Sequence, residues 1–143
     1  MTGVQTCALP IYPDAARRTN LLQTWIFPDK KNITPRYGQR TFPASERINK
    51  LQTLVSPIDN EDAGLKIHQS AWIYRTTLEG GKTVTHTLHS AQHGAYIFMI
   101  DGKATVGGQV LGRRDALGIA GDEHFDITAE STSDILIFEV PMR

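Results

Sequence analysis

The sequence predicts an all-β protein, built as a sandwich or a barrel and preceded by an extended segment. Between residues 50 and 140, short apolar-rich runs alternate with turn residues, and this spacing is typical of antiparallel sandwiches and barrels. Asp101-Gly102, which stands between two such runs, is the strongest hairpin signal of the chain. Residues 45–49 could form one helical turn, and no longer stretch shows a period of 3.6 residues.

The segment before the predicted strands divides into an unusual start and a linker. Residues 1–11, MTGVQTCALPI, resemble the codon-by-codon translation of a widely used DNA-sequencing adapter, so we assign residues 1–12 to an artefact that replaces natural sequence. Residues 21–27 are rich in apolar side chains and predict a strand. Residues 30–45 carry prolines and charges without a period and predict a surface connector. We therefore assign 13–44 to an inter-domain strand and linker, and 45–143 to one domain.

Nine strands are predicted in that domain. They are residues 50–55, 65–69, 72–78, 83–88, 95–100, 103–106, 116–119, 124–128 and 135–140. In the third of them, Trp72, Tyr74 and Leu78 share one face, which we expect to be buried, while Arg75 and Thr77 lie on the other. The last strand is almost uniformly apolar, as expected for a strand near the centre of the core.

Charge and composition exclude several classes of function. The 15 basic residues balance 15 acidic ones and the pI is near 7, so no net field draws the chain to nucleic acid or to an anionic membrane. No apolar run approaches the roughly 20 residues of a membrane span. The single cysteine, Cys7, lies in the adapter-like segment, which leaves no disulfide and no thiolate metal site. A cytoplasmic protein is expected.

Two groups of residues carry a resemblance to a known family. The stretches LQTWI (22–26) and PRY (35–37), followed by Gln39, resemble the linker of pirin-family bicupins, and LKIHQ (65–69) with YR (74–75) resembles the start of their second cupin. The likeness is strongest to the bacterial branch linked to quercetin 2,3-dioxygenase activity. It implies a cupin barrel, a double-stranded β-helix of jelly-roll type, preceded by an extended linker.

The resemblance also implies where a cofactor would be bound. In pirin-family proteins the first cupin holds one divalent metal ion (Fe, Ni, Cu, Mn or Zn) through three histidines and a glutamate. We therefore expect the metal in the half that precedes this chain, no cofactor here, and that N-terminal cupin as an intramolecular partner. A flavonoid-like small molecule would be the substrate of the parent protein.

The cupin motifs are only partly present in this half. Counting back from Gly102 places the family's glutamate at Ala95 and its two histidines at Ala91 and His89, and the Gly-x-x-His motif ends at His124. Two of four ligand positions are therefore filled, and two imidazoles alone rarely hold a divalent ion. We predict a degenerate site at His89 and His124, with no metal bound and no catalytic residue.

Other candidate residues receive structural interpretations. His86 shares a strand face with Val84 and Leu88, which predicts a core-facing ring, and the pleat then puts His89 on the opposite face. His93 could lean into the barrel mouth in place of a lost ligand. His68 is expected to be a hydrogen-bonded core or interface residue. The acidic residues 59–62 predict a solvated turn, and no Ser-His-Asp order is apparent.

Three functions remain open. The parent could be an oxidoreductase of the quercetin 2,3-dioxygenase type, in which a metal binds the substrate oxygens and prepares the substrate for O₂; this chain would then be inactive alone. It could instead be a non-catalytic pirin-type regulator with a protein-binding cupin, since the fold does not choose between these roles. The third possibility is a stand-alone ligand-binding cupin. Whether the parent is an enzyme is left uncertain.

Overall fold

The computed structural model describes residue 16 and residues 20–142. The adapter-like residues 1–11 and Tyr12 lie outside them, and the boundary between linker and domain at residue 45 stays a prediction. The elements in chain order are the 3-10 turn Ala44–Arg47 and ten strands: β1 Gln52–Pro57, β2 Leu65–Ile67, β3 Trp72–Leu78, β4 Thr83–Thr87, β5 His93–Asp101, β6 Ala104–Val106, β7 Gln109–Leu111, β8 Ala116–Ala120, β9 His124–Ala129 and β10 Ser133–Pro141. No helix among the described residues is long and apolar enough to cross a membrane.

The strands form two sheets that enclose one core. The six-stranded sheet has the order β2-β1-β3-β10-β5-β8, and the four-stranded sheet has the order β4-β9-β6-β7. Strand β10 lies inside the larger sheet between β3 and β5, and it pairs antiparallel with both. The predicted all-β fold and the central position of the last strand are confirmed.

The core is filled from both sheets. Strand β3 buries alternate residues and leaves the others half-buried, as the sequence pattern predicts. Its buried face packs with Ile97 and Met99 of β5, Ile127 of β9 and Ile135 and Ile137 of β10. Each fully buried side chain of this kind stabilises the fold by about 1.5–3 kcal/mol. One buried residue of β10, Glu139, is charged.

The predicted strand at residues 21–27 is wrong. The segment is extended but pairs with no strand, and it lies against the outer face of the six-stranded sheet, where it shares a cavity with Tyr96 and Phe138. Trp25 and Phe27 are 69% and 80% exposed. An apolar run signals burial against a neighbour, but a strand also needs a free sheet edge for its backbone, and this segment packs across the sheet face.

The Asp101-Gly102 turn does not form the predicted hairpin. Gly102 has a positive φ of 88°, as a tight turn requires, but β5 and β6 lie in different sheets. The turn therefore carries the chain from one sheet to the other. The two-residue hairpin lies at Gly107-Gly108, between β6 and β7. The pattern missed β7 because three residues, two of them exposed, are too few to show alternation.

Candidate functional site

The most unusual feature of the core is a buried carboxylate near the C-terminal end of β10. Glu139 has no exposed surface, and its neighbours in the sheet are Trp72 on β3 and Ala95 on β5. Three histidines reach it from other elements. His86 lies on β4, His89 follows the end of β4, and His93 is the first residue of β5.

All three imidazoles contact the carboxylate, and together these residues form the Glu139 cluster (Glu139, His86, His89 and His93). Oε2 of Glu139 is 2.8 Å from His86 Nε2 and 2.9 Å from His89 Nδ1. Oε1 is 2.7 Å from His93 Nδ1 and accepts a hydrogen bond of 2.7 Å from the backbone N–H of His89. Because β4 and β10 belong to different sheets, the cluster joins the two sheets.

Two opposing effects set the charge of Glu139. Burial raises the pKa of its carboxyl group, but the hydrogen bonds from the three histidine side chains and from the backbone of His89 outweigh it, and the pKa falls from 4.5 to about 2. An ionised carboxylate only accepts hydrogen bonds. Each ring therefore donates from the nitrogen that faces Glu139, and the other nitrogen of a neutral ring, namely Nδ1 of His86 and Nε2 of His89 and His93, is an acceptor.

Aromatic rings enclose the cluster. Trp72 stacks on His89 with 3.8 Å between ring centroids and an interplanar angle of 5°, and its indole N–H donates to Asp62 Oδ2 at 2.8 Å. Tyr74 lies 4.9 Å from the ring of His86. Burial, together with the charges of Glu139 and Asp62, raises the pKa of the Tyr74 hydroxyl. The phenol therefore stays protonated at neutral pH.

The free nitrogens of the three rings face different surroundings. His86 is buried and also packs against Phe125, at 5.4 Å between centroids. Nε2 of His89 lies 3.9 Å from Asp62, and about a third of this side chain is exposed. Nε2 of His93 lies 3.4 Å from Oγ of Ser70. Within the described part of the chain, His93 is the only one of these three histidines whose second ring nitrogen lies within hydrogen-bond distance of a hydroxyl group.

Two sequence interpretations are settled by this geometry. His86 is core-facing, as predicted, but the expectation that His89 lies across the pleat from it is wrong, because both rings bind the same carboxylate. Strand β4 ends at Thr87, so the alternation of a strand does not extend to His89. His93 points to Glu139 and is buried.

The degenerate ligand positions do not assemble into a cupin centre. His89 is turned toward Glu139, whereas His124 on β9 is exposed and lines a groove with Asp126 and Phe125. Ala91 and Ala95 offer no donor atom. Among residues 16 and 20–142, no group of three or more histidine, cysteine, aspartate or glutamate side chains is arranged to hold a metal ion. In the Glu139 cluster one nitrogen of each ring is occupied by a hydrogen bond to the carboxylate.

Other predicted residues keep structural roles. His68 is partly buried, and its backbone carbonyl accepts a hydrogen bond of 2.8 Å from Asp29 in the linker. The acidic turn is less solvated than predicted, because Asp62 binds Trp72. Sequence reasoning missed Glu139 itself. The available signal was an acidic residue inside an apolar run that the pattern already placed at the centre of a sheet, since a carboxylate there must be paired.

Comparison with known proteins gives the family. The model of the quercetinase C-terminal cupin domain matches residues 53–140. This chain belongs to that family. Quercetin 2,3-dioxygenase of Escherichia coli K12 is 34% identical over 129 residues, which are 90% of this chain and 54% of that protein. A pirin-like protein of Caulobacter vibrioides is 28% identical over 138 residues, which are 96% of this chain and 58% of that protein.

Solved structures agree with this assignment. This chain superimposes on the bacterial pirin YhhW of Escherichia coli in complex with nickel(II) with a TM-score of 0.74 and 32% identity, covering 83% of this chain and 49% of that one. The resemblance to the second cupin of pirin-type proteins is therefore confirmed. The chain spans about half the length of the curated relatives it matches.

Proposed function

We propose that this cupin is the accessory half of a metal-dependent protein of the quercetin 2,3-dioxygenase type and that the metal centre belongs to the other half. The observation that carries the proposal is the match to the C-terminal cupin of quercetinases in a chain whose own ligand positions include Ala91 and Ala95. An alanine supplies no lone pair, so the motif lacks two of its four ligands.

The described residues are suited to a scaffolding role. The Glu139 cluster joins the two sheets through buried hydrogen bonds. The linker crosses the outer face of the six-stranded sheet and exposes the large side chains of Leu21, Leu22, Trp25 and Phe27. Large exposed apolar side chains grouped in one short segment favour a contact with another protein surface. We propose that the partner is the N-terminal cupin of the same protein, and a cytoplasmic location stays a prediction.

The proposal is tested with two proteins. The 143-residue chain alone, incubated with quercetin and Fe²⁺, Ni²⁺ or Mn²⁺, is expected to consume no oxygen and to show no metal-dependent shift in melting temperature. A chimera in which residues 20–142 replace the matching half of the Escherichia coli relative is expected to bind metal and to consume oxygen with quercetin.

The chimera discriminates between the functions because its metal half is that of the relative. The unaltered Escherichia coli protein is the matched control. Quercetin turnover by the 143-residue chain alone would contradict the accessory role. If the chimera folds and binds metal but does not turn over quercetin, while the control does, this cupin cannot serve as the accessory half of such an enzyme.

Exposed apolar surface also favours a second candidate, a regulatory cupin that docks another protein. Trp25 and Phe27 would be its anchors, since aromatic side chains dominate binding energy at protein interfaces. In that case the metal-loaded full-length protein would consume no oxygen with quercetin, and Trp25→Ala would abolish its capture of a stable partner. The accessory-half proposal instead expects Trp25→Ala to weaken the contact between the two cupins.

A further inference from the structure

The Glu139 cluster contains an arrangement that the proposed function does not use. Oε1 of Glu139 binds Nδ1 of His93 at 2.7 Å, and Nε2 of the same ring lies 3.4 Å from Oγ of Ser70. Carboxylate, imidazole and hydroxyl are thus in the order in which a serine nucleophile is activated. The 3.4 Å separation is at the long end of the hydrogen-bond range, as is common before a substrate is bound.

The protonation states fit that order. Glu139 accepts the N–H of His93 Nδ1, so when the ring is neutral its Nε2 has a lone pair directed to Ser70. The Ser70 hydroxyl must then donate to it. His93 is buried and its ring is further fixed by Trp72, at 5.7 Å between centroids. The base is therefore held in one tautomer and one orientation before any substrate arrives.

Ser70 is accessible to a substrate. It lies in the short loop between β2 and β3 and is exposed, and it lines a cavity of about 190 Å³. The polar lining of this cavity includes Asp29, Lys30, Asp59 and Gln69. This volume accommodates an acyl group of a few carbon atoms, and much of the lining is polar, which suits a small ester.

We propose that Ser70 and His93, positioned by Glu139, form an acyl-transfer site that hydrolyses small carboxylic esters. This goes beyond the accessory role and does not depend on it. It also departs from the sequence expectation of no catalytic residue, because residues 70, 93 and 139 lie far apart in the chain and no local motif joins them.

The reaction balances with the ester and water as the only reactants. Ser70 Oγ forms a bond to the carbonyl carbon as its proton moves to His93 Nε2, and the carbonyl π pair moves to oxygen. The tetrahedral adduct then expels the alkoxide, which takes the proton from His93 and leaves as an alcohol. Water repeats the sequence on the acyl-serine, again through His93, and releases the carboxylic acid with Ser70 restored.

A fluorophosphonate probe tests the nucleophile directly, because Oγ displaces fluoride and the probe stays on the protein. We expect one probe per 143-residue chain, located at Ser70 by mass spectrometry, and slow hydrolysis of p-nitrophenyl acetate. Ser70→Ala should abolish both. Ser90→Ala, which alters another serine of the same end of the fold, is the matched control and should keep both.

Variants of the other two residues separate activation from folding. His93→Gln is expected to slow labelling at least about 100-fold, the usual contribution of a general base, in protein whose circular dichroism is unchanged. Glu139→Gln should also slow labelling, because the carboxylate no longer accepts the N–H of His93 Nδ1 and no longer holds the ring in its orientation toward Ser70. No labelling of the unaltered chain, or equal labelling of Ser70→Ala, would overturn the proposal.

Discussion

Glu139 and His86 lie 2.8 Å apart through Oε2 and Nε2, and this contact joins β10 of the six-stranded sheet to β4 of the four-stranded sheet. Both side chains are almost fully excluded from water. Every stability prediction for this end of the fold depends on the carboxylate that they share with His89 and His93.

Glu139→Gln should destabilise the domain. Glutamine has no negative charge, and its amide NH2 group replaces one of the two oxygens that accept hydrogen bonds from the histidines. The N–H groups facing that NH2 group then have no acceptor. We expect the free energy of unfolding to fall by about 2–4 kcal/mol, as for other buried charged networks. Urea unfolding followed by circular dichroism measures the change. Glu130→Gln, which alters an exposed partner of Lys103, is the control and should leave the free energy of unfolding nearly unchanged.

Acid should remove the same stabilisation in a defined interval. The pKa of Glu139 is lower in the folded protein, about 2, than its usual 4.5, so its contribution is complete above pH 4.5 and is lost as the pH falls toward 2. The contribution is on the order of 3 kcal/mol. The difference in unfolding free energy between the unaltered protein and Glu139→Gln should therefore shrink across this interval, and a constant difference would contradict the assignment.

Gly102→Ala should destabilise the fold by more than the positive φ of this residue alone explains. A Cβ at Gly102 would overlap the Thr132 carbonyl and Ser133, whereas a Cβ at Gly81, which has a φ of 79°, meets no atom within 4 Å. Gly81→Ala is thus the matched control for backbone strain, at about 1–2 kcal/mol. We expect Gly102→Ala to exceed it by at least about 1 kcal/mol in thermal or urea unfolding.

Arg75→Lys should weaken the pairing of β3 with β10. Nε and Nη2 of Arg75 donate to the two carboxylate oxygens of Asp134 at 2.9 and 2.6 Å, and a lysine ammonium cannot reproduce this two-pronged contact. The expected loss is about 0.5–1 kcal/mol. Arg113→Lys, at a highly exposed pair with Asp101, should have no measurable effect, and equal effects of the two variants would contradict the argument.

The strands could be predicted because their signal is local. Alternation at 72–78 and the apolar run at 135–140 depend on which face meets the core, and the structure places both runs as predicted. The segment 21–27 shows the limit of that signal. Its apolar residues cover the face of a sheet, and sequence alone does not distinguish a strand that joins a sheet from a segment that crosses one.

The candidate site could be predicted only in part because it is non-local. His86, His89 and His93 lie within eight residues of one another, but Glu139 lies 46 to 53 positions away. The pleat argument separated His86 from His89 because it assumed a strand beyond Thr87. Ser70 carries no signal of its own, since a surface serine in a short loop is common and only the ring of His93 makes it noteworthy.

The sharing of one carboxylate by three imidazoles makes these four positions mutationally interdependent. Once Glu139 is replaced, loss of His86, His89 or His93 removes a ring that no longer has its acceptor, so the second substitution should cost far less than it would alone. A lineage that loses Glu139 is thus expected to lose several of the histidines soon afterwards. The first substitution carries most of the loss of stability, and the remaining rings then contribute little that selection could preserve.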